Sequence, residues 1–130
     1  MGLNQQRIKP YVAIGWLIIV NLLLLTPGHN LPKGPSIPHL DKVVHISVFA
    51  VLTFLWAQVG TVDSQKKIIW EKLLTNLLVF TIIFPIFVEY VQAYVPNRSF
   101  EYEDIVANLI GGTIGFIGFI ILYKVKPSLV

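Results

Sequence analysis

Four apolar segments of about 20 residues make up most of this 130-residue chain, and ionisable residues occur mainly at their ends. A helix that crosses about 30 Å of hydrocarbon needs about 20 mostly apolar residues. Only helices or closed barrels satisfy the backbone in lipid, and the segments lack the two-residue alternation of barrel strands. The chain is 55% hydrophobic and 13% charged, whereas a soluble domain is about 25% charged. The sequence therefore predicts an all-α integral membrane protein with one domain over residues 1–130.

The four segments predict a compact bundle of transmembrane helices. The predicted spans cover residues 8–26, 43–62, 73–95 and 105–123. A proline-rich loop, 27–42, follows the first span and is expected to form an extended, semi-rigid strap, because proline fixes the backbone and removes a hydrogen-bond donor. Pro85 lies inside the third span and is expected to kink it.

Lysine and arginine are distributed unevenly between the two sides of this bundle. With four spans, seven of the ten basic residues fall on one side: Arg7, Lys9, Lys66, Lys67, Lys72, Lys124 and Lys126. The other side holds Lys33, Lys42 and Arg98. Basic residues accumulate on the cytoplasmic side of short loops. Both termini are therefore expected in the cytoplasm, with the 27–42 and 96–104 loops outside the cell membrane.

Seven polar residues at or near the span ends form the candidate ligand-binding set. They are Asp41, His45, Glu89, Gln92, Arg98, Asp104 and Asn108. An ionisable side chain inside a bilayer costs roughly 2.5–3.5 kcal/mol on insertion scales, so it is usually retained for a partner or a function. On the predicted topology all seven lie at the extracytoplasmic face.

Two pairs within this set have helical spacing. Asp41 and His45 are four residues apart and share one helix face; they are either a helix cap and a helix-end histidine, or a carboxylate that orients an imidazole. Glu89 and Gln92 are three residues apart on the third span. Arg98 is the expected cation for Glu89, with His45 as a second candidate, and a purely structural ion pair is the alternative.

The fourth span begins with a further polar pair and continues with glycines. Asp104 and Asn108 are four residues apart, and Asp104 is a candidate helix cap. The glycines Gly111, Gly112, Gly115 and Gly118 are predicted to serve helix packing, since a G-x-x-x-G pair lets another backbone approach closely. The same pair would also allow a homo-oligomer.

Several classes of site are not expected in this chain. It contains no cysteine, which excludes disulfides and thiolate metal sites. His29 and His39 match no familiar zinc spacing, so no metal and no cofactor is predicted. No basic tract suggests a nucleic-acid partner.

The polar residues also carry a family resemblance. Their pattern is Asp41-Lys42-x-x-His45, then Glu89-x-x-Gln92-x-x-x-Pro96-x-Arg98-Ser99, then Asp104-x-x-x-Asn108-x-x-Gly111. This pattern, over residues 40–118, resembles the VanZ-like family of small bacterial membrane proteins, although Ile46 stands where relatives often have an aromatic residue. The resemblance implies four membrane helices with the motif residues at one face. The founding member is associated with resistance to the glycopeptide teicoplanin, a role that has not been demonstrated for most relatives.

Three functions are compatible with these residues. The first is binding or handling of an envelope amphiphile at the outer leaflet, such as an anionic membrane lipid, a polyprenyl-linked wall precursor or a lipid-tailed glycopeptide, with Arg98 and His45 on the head group. The second is an enzyme that hydrolyses or transfers a head group, with His45, Glu89 and Asp41 as the catalytic candidates; no serine or cysteine nucleophile pairs with a base, which disfavours it. The third is a structural or accessory membrane subunit.

Overall fold

The computed structural model describes residues 3–30, 34 and 37–130, and every extended regular element there is helical. The elements are α1 (Leu3–Leu25), α2 (Leu40–Trp56), α3 (Trp70–Gln92) and α4 (Tyr102–Val125). Short 3-10 turns cover Gly28–Asn30 and Pro127–Leu129. The predicted all-α class is thus confirmed for the described residues.

Three of these four helices are long and apolar enough to cross a membrane. They are the segments Gln6–Leu25, Trp70–Gln92 and Tyr102–Val125, with mean hydropathies of 2.0, 1.9 and 2.2. Helix α2 has 17 residues and rises about 26 Å, which is less than the hydrocarbon thickness of about 30 Å. A membrane protein is therefore supported by three helices, and the fourth span stays a prediction.

The predicted second span, 43–62, was too long at its far end because a turn replaces the last part of the helix. Gly60 has a φ of 67°, a left-handed conformation that glycine adopts easily and that ends helices. Beyond it, the Asp63 side chain accepts backbone N–H groups of Gln65 and Lys67 at 2.8 and 2.9 Å. Residues 57–59 are apolar or neutral, so composition alone did not reveal this turn.

The proline-rich loop is only partly described. Pro32, Lys33, Pro35 and Ser36 lie outside the described residues, so the predicted strap is not tested there. Its beginning is not extended, because Gly28–Asn30 form a 3-10 turn. The backbone N–H of Gly28 donates to the Pro96 carbonyl at 3.2 Å, which joins this loop to the one between α3 and α4.

Pro85 lies inside α3, next to a π-helical segment. Its ring has no N–H and crowds the preceding turn of the helix. The π-helical residues Leu78–Ile83 come just before it, and such widened turns are a common way for a helix to absorb an irregularity. Helix α3 therefore continues through the proline to Gln92.

Successive helices run in opposite directions. The Trp16 indole donates to the Val48 carbonyl at 3.1 Å, halfway along α1 and α2. The Gln92 amide donates to the Leu24 carbonyl at 2.7 Å, so the last turns of α3 and α1 are neighbours. The ends of α1 and α3 and the beginnings of α2 and α4 consequently meet at one end of the bundle, called here the polar end.

Helices α2 and α4 are parallel and pack backbone to backbone through glycine. A Cβ at Gly111 would overlap the Ile46 carbonyl, and one at Gly115 would overlap the Ala50 carbonyl. A Cβ at Gly112 would overlap the Thr81 side chain of α3, whereas at Gly118 it would meet Phe54 at an ordinary 3.5 Å. At Gly111 and Gly115 a larger residue would therefore collide with the backbone of α2, and at Gly112 it would require the Thr81 side chain to move.

The bundle has an apolar core and an apolar exterior. One core cluster contains Val20, Leu24, Val48, Phe49, Leu52 and Val88, and a second contains Ala57, Leu73, Phe119 and Val130. Large apolar side chains are also exposed along α1, α3 and α4, among them Leu22, Ile82 and Ile117. Such an exterior is unfavourable in water and suits a lipid environment.

Candidate functional site

The polar end of the bundle contains an open cleft of about 330 Å³, called here the polar cleft. It is lined by Asp41, His45, Gln92, Asn97, Arg98, Ser99, Glu101 and Asp104. Because the helices alternate in direction, side chains from α2, α3, α4 and the 96–101 loop reach this one place. All seven predicted ligand-binding residues lie in or directly behind the cleft.

Lys42 is the centre of an ion-pair cluster between α2 and α4. Its ammonium group pairs with Asp41 at 3.0 Å, with Glu101 at 2.6 Å and with the Oδ1 of Asp104. Only 15% of the Lys42 side chain is exposed, so these pairs are better shielded than ordinary surface pairs. The cluster joins the beginnings of two helices and one loop.

His45 lies between Asn108 and Asp104. Its Nδ1 is 2.9 Å from the Asn108 Oδ1, and its Nε2 is 3.6 Å from the Asp104 Oδ2. An amide oxygen can only accept, so Nδ1 carries a proton in this arrangement. The Nε2 of His45 therefore faces a carboxylate in the buried wall of the cleft.

Glu89 is fully buried and has one free carboxylate oxygen. Its Oε1 accepts the backbone N–H of Glu101 at 2.9 Å, while its Oε2 has no partner among the described residues. A buried acceptor without a partner is costly, more so for a charged group. Such an atom is a place where a proton or a cation would be held.

Arg98 contacts helix α1 instead of the expected Glu89. Its Nε and Nη2 donate to the carbonyls of Thr26 and Leu23 at 3.3 and 3.0 Å. The Leu23 carbonyl belongs to the last turn of α1 and Thr26 directly follows the helix, where intrahelical donors run out. Arg98 is thus partly a cap of α1, and the predicted Glu89–Arg98 pair is replaced by the Glu101 N–H as the partner of Glu89.

Glu101, which precedes the first residue of α4, also takes part in the cluster. Its carboxylate accepts from Lys42 at 2.6 Å and from the Ser99 hydroxyl at 3.1 Å. These hydrogen bonds, that of Lys42 first, lower the pKa of Glu101 below its ordinary value. A charged carboxylate at the cleft mouth is the consequence.

Lys42 and Glu101 are members of the ion-pair cluster outside the predicted ligand-binding set, and Asn97 and Ser99 are further cleft residues outside it. Lys42 had been considered only as a basic residue of the outer side and as part of the family pattern. The position of Lys42 next to Asp41, at the beginning of a helix, could have indicated its role, since a lysine that faces the interior there needs acidic partners. Its partners Glu101 and Asp104 are 59 and 62 residues away, so no local spacing indicated them.

One further juxtaposition crosses three helices. A possible metal-ligand atom on each of three residues lies within 4.8 Å of the other two. These residues are His45, Glu89 and Asp104, and all three are buried. A second group, Asp41, Glu101 and Asp104, is equally close, but the Lys42 ammonium already pairs with its three members. The first group is therefore the one that could hold a metal ion. The prediction of no metal site was based on sequence spacing alone, which cannot reveal ligands that come from separate helices.

Comparisons with known proteins bear on this site. The VanZ/LLP1 family model matches residues 4–123, which contain the whole polar cleft. An uncharacterized protein of Schizosaccharomyces pombe is 27% identical over 107 residues, covering 82% of this chain and 63% of the relative. The chain thus spans less than two thirds of that relative's length. No solved structure matches.

Proposed function

The chain belongs to the VanZ/LLP1 family, and from this premise we propose that it is an integral membrane protein that binds or handles an envelope amphiphile by its polar head group. The ligand classes are an anionic lipid, a lipid-linked wall precursor or a lipid-tailed glycopeptide. The observation that carries the proposal is a polar cleft directly beside an apolar groove, at the same end of the bundle. An amphiphile needs both surfaces at once.

The proposed topology has four spans with both termini in the cytoplasm. It is supported by the alternating helix directions and by the seven basic residues at the far end of the bundle, against Lys42 and Arg98 at the cleft among the described residues. Helix α2 would be the short second span. The polar cleft would then open at the head-group level of the outer leaflet.

Arg98 is the proposed head-group ligand at the edge of the cleft. A guanidinium has five N–H donors, and two of them are used by the carbonyls of Thr26 and Leu23. The remaining donors can form a bidentate contact with a phosphate or carboxylate. Capping of α1 would hold the guanidinium in place for this contact.

The proposed tail site is the apolar groove along the last turns of α1. It has a volume of about 490 Å³ and is lined by Leu17, Ile18, Asn21, Leu22, Leu25, Thr26 and Pro27. Thr26 also accepts from Arg98, so the groove begins where the head group would be bound. A chain leaving that head group would lie against α1 and extend into the bilayer.

The test is native mass spectrometry of gently solubilised protein. Arg98→Ala should lose a phosphorylated lipid that the wild type retains, because it removes the head-group donors. The matched control is Arg7→Ala, which deletes the same charge from an exposed position at the opposite end. Arg98→Lys keeps the positive charge but cannot form the bidentate contact, so it should retain part of the lipid.

Two results would contradict the proposal. One is an identical, unselective lipid mixture on all variants. The other is equal loss of lipid from Arg7→Ala and Arg98→Ala, which would reflect net charge alone.

A second candidate function is head-group hydrolysis or transfer, favoured by the free Glu89 carboxylate oxygen near His45. Either group could act as general base towards water in the cleft. Glu89→Gln should then abolish turnover of the retained lipid while the lipid stays bound. Retention without turnover in the wild type would leave binding as the function.

An accessory role through the G-x-x-x-G face finds less support. Gly111 and Gly115 already contact α2 of the same chain. This face is therefore occupied within the monomer.

A further inference from the structure

We propose that His45, Glu89 and Asp104 bind a divalent metal ion in the wall of the polar cleft. This site does not depend on the amphiphile proposal. It is carried by the positions of three side chains and by the groups that hold each of them.

The three ligand atoms converge from α2, α3 and α4. They lie within 4.8 Å of one another, with His45 Nε2 and Asp104 Oδ2 at 3.6 Å. Nitrogen and oxygen ligands bind zinc at about 2.0–2.2 Å, so two ligands of one tetrahedral ion are about 3.3–3.6 Å apart. A small rotation of the side chains would bring the set to bonding distance.

Each proposed ligand has a hydrogen-bond partner on one polar atom, which leaves a second nitrogen or oxygen for a metal ion. His45 uses Nδ1 on the Asn108 amide oxygen. Glu89 uses Oε1 on the Glu101 N–H. Asp104 uses Oδ1 on the Lys42 ammonium. Metal-binding histidines and carboxylates are typically oriented by such outer hydrogen bonds.

The free oxygen of Glu89 is an independent sign that this point can take a ligand. Glu89 is 0% exposed, and its Oε2 has no hydrogen-bond partner among the described residues. The neighbouring Asp104 is only 8% exposed. Two carboxylates buried this close repel each other unless a cation or proton lies between them.

The excess of negative side chains around the cleft also favours binding of a further cation. Four carboxylates, those of Asp41, Glu89, Glu101 and Asp104, face two permanent cations, Lys42 and Arg98. Lys42 is held by Asp41, Glu101 and Asp104, and Arg98 donates to α1 carbonyls. Neither side chain forms an ion pair with Glu89 in the described part of the chain. A divalent ion at this point would balance the cluster.

One imidazole and two carboxylates favour Zn²⁺, Mn²⁺ or Fe²⁺ over softer metals. Three protein ligands leave at least one coordination position open. His45 and Asp104 also line the polar cleft. A water molecule or an anionic head group could therefore reach the open position from the cleft.

The experiment measures metal in protein purified without a histidine tag or chelator. Elemental analysis of the wild type should find close to one equivalent of a first-row divalent metal. After stripping with EDTA, titration calorimetry with Zn²⁺ and Mn²⁺ should show one saturable site. Glu89→Gln and Asp104→Asn keep the shape and each remove a ligand charge. Both should weaken binding by more than the roughly 10–100-fold typical of an outer-shell change.

The matched control is Glu103→Gln. It removes a nearby carboxylate that lies 4.0 Å from Lys42 and is 78% exposed, so metal binding should stay at the wild-type value. Absence of a saturable site in folded wild type would overturn the proposal and assign a proton to Glu89. Equal affinity of wild type, Glu89→Gln and Asp104→Asn would overturn it too. Loss of amphiphile with retained metal would contradict only the proposed function.

Discussion

The Nδ1 of His45 lies 2.9 Å from the amide oxygen of Asn108, and this contact determines which ring nitrogen is available in the cleft. The amide oxygen accepts the Nδ1 proton, so the Nε2 lone pair is directed at Asp104. Asn108 is fully buried. It therefore acts as a positioning residue for the imidazole.

This contact predicts the tautomer of His45. In metal-free protein at pH 8, long-range ¹⁵N–¹H NMR of the imidazoles should show His45 mainly as the Nδ1–H form. Asn108→Leu removes the acceptor, and the proton should move to Nε2, where Asp104 accepts it. Asn21→Leu is the control, because the Asn21 amide donates to the Leu17 carbonyl of its own helix. An Nε2–H form in the wild type would contradict the prediction.

The contact between α2 and α4 predicts that alanine substitutions will have different effects at two glycines three residues apart on α4. Gly115→Ala should destabilise the protein by about 1–3 kcal/mol, as is typical of overpacking, because its Cβ overlaps the Ala50 carbonyl. Gly118→Ala should be neutral or slightly stabilising, since its Cβ has an ordinary contact at 3.5 Å and alanine favours helix. Unfolding in mixed micelles by SDS titration measures both. Equal effects of the two substitutions would argue against the close backbone contact.

The Lys42–Glu101 pair predicts an acid-sensitive connection between α2 and the 96–101 loop. The pKa of Glu101 is lowered in the folded protein by the hydrogen bonds from Lys42 and Ser99. A depressed pKa contributes stability above the unfolded value of about 4.5 and loses it as the pH falls through the folded value. Stability should therefore decline as the pH falls below about 4.5.

Thermal unfolding between pH 3 and pH 7 tests this dependence. Glu101→Gln should have a lower unfolding midpoint than the wild type at pH 7. Its midpoint should also decrease less as the pH falls, because the glutamine amide takes up no proton. Glu103→Gln should follow the wild type, since its carboxylate is exposed and 4.0 Å from Lys42. The same slope in wild type and Glu101→Gln would show that other carboxylates dominate.

Much of the architecture could be predicted because hydrophobic length is a direct constraint in lipid. The apolar runs indicated the helices, and helix alternation brought the polar ends together. The end of α2 could not be predicted, since the chain passes into turns at Gln58 and Val59 without a proline or charged residue to mark the change. The partners of Lys42, Glu89 and Arg98 could not be predicted either. They depend on which helix ends become neighbours, and the partners of Glu89 and Arg98 are three backbone groups that a sequence pattern does not show.

The orientation of the bundle predicts which face of the membrane each loop occupies, and the absence of cysteine makes a clean test possible. Ser99 is exposed at the polar cleft, and Ser64 is exposed in the turn between α2 and α3 at the opposite end. On the proposed topology, Ser99→Cys should react with a membrane-impermeant maleimide in intact cells. Ser64→Cys should react only after permeabilisation, because lysine-rich loops stay in the cytoplasm. The reverse labelling pattern would place the cleft at the inner leaflet. The ligand would then have to be an amphiphile whose head group lies on the cytoplasmic side.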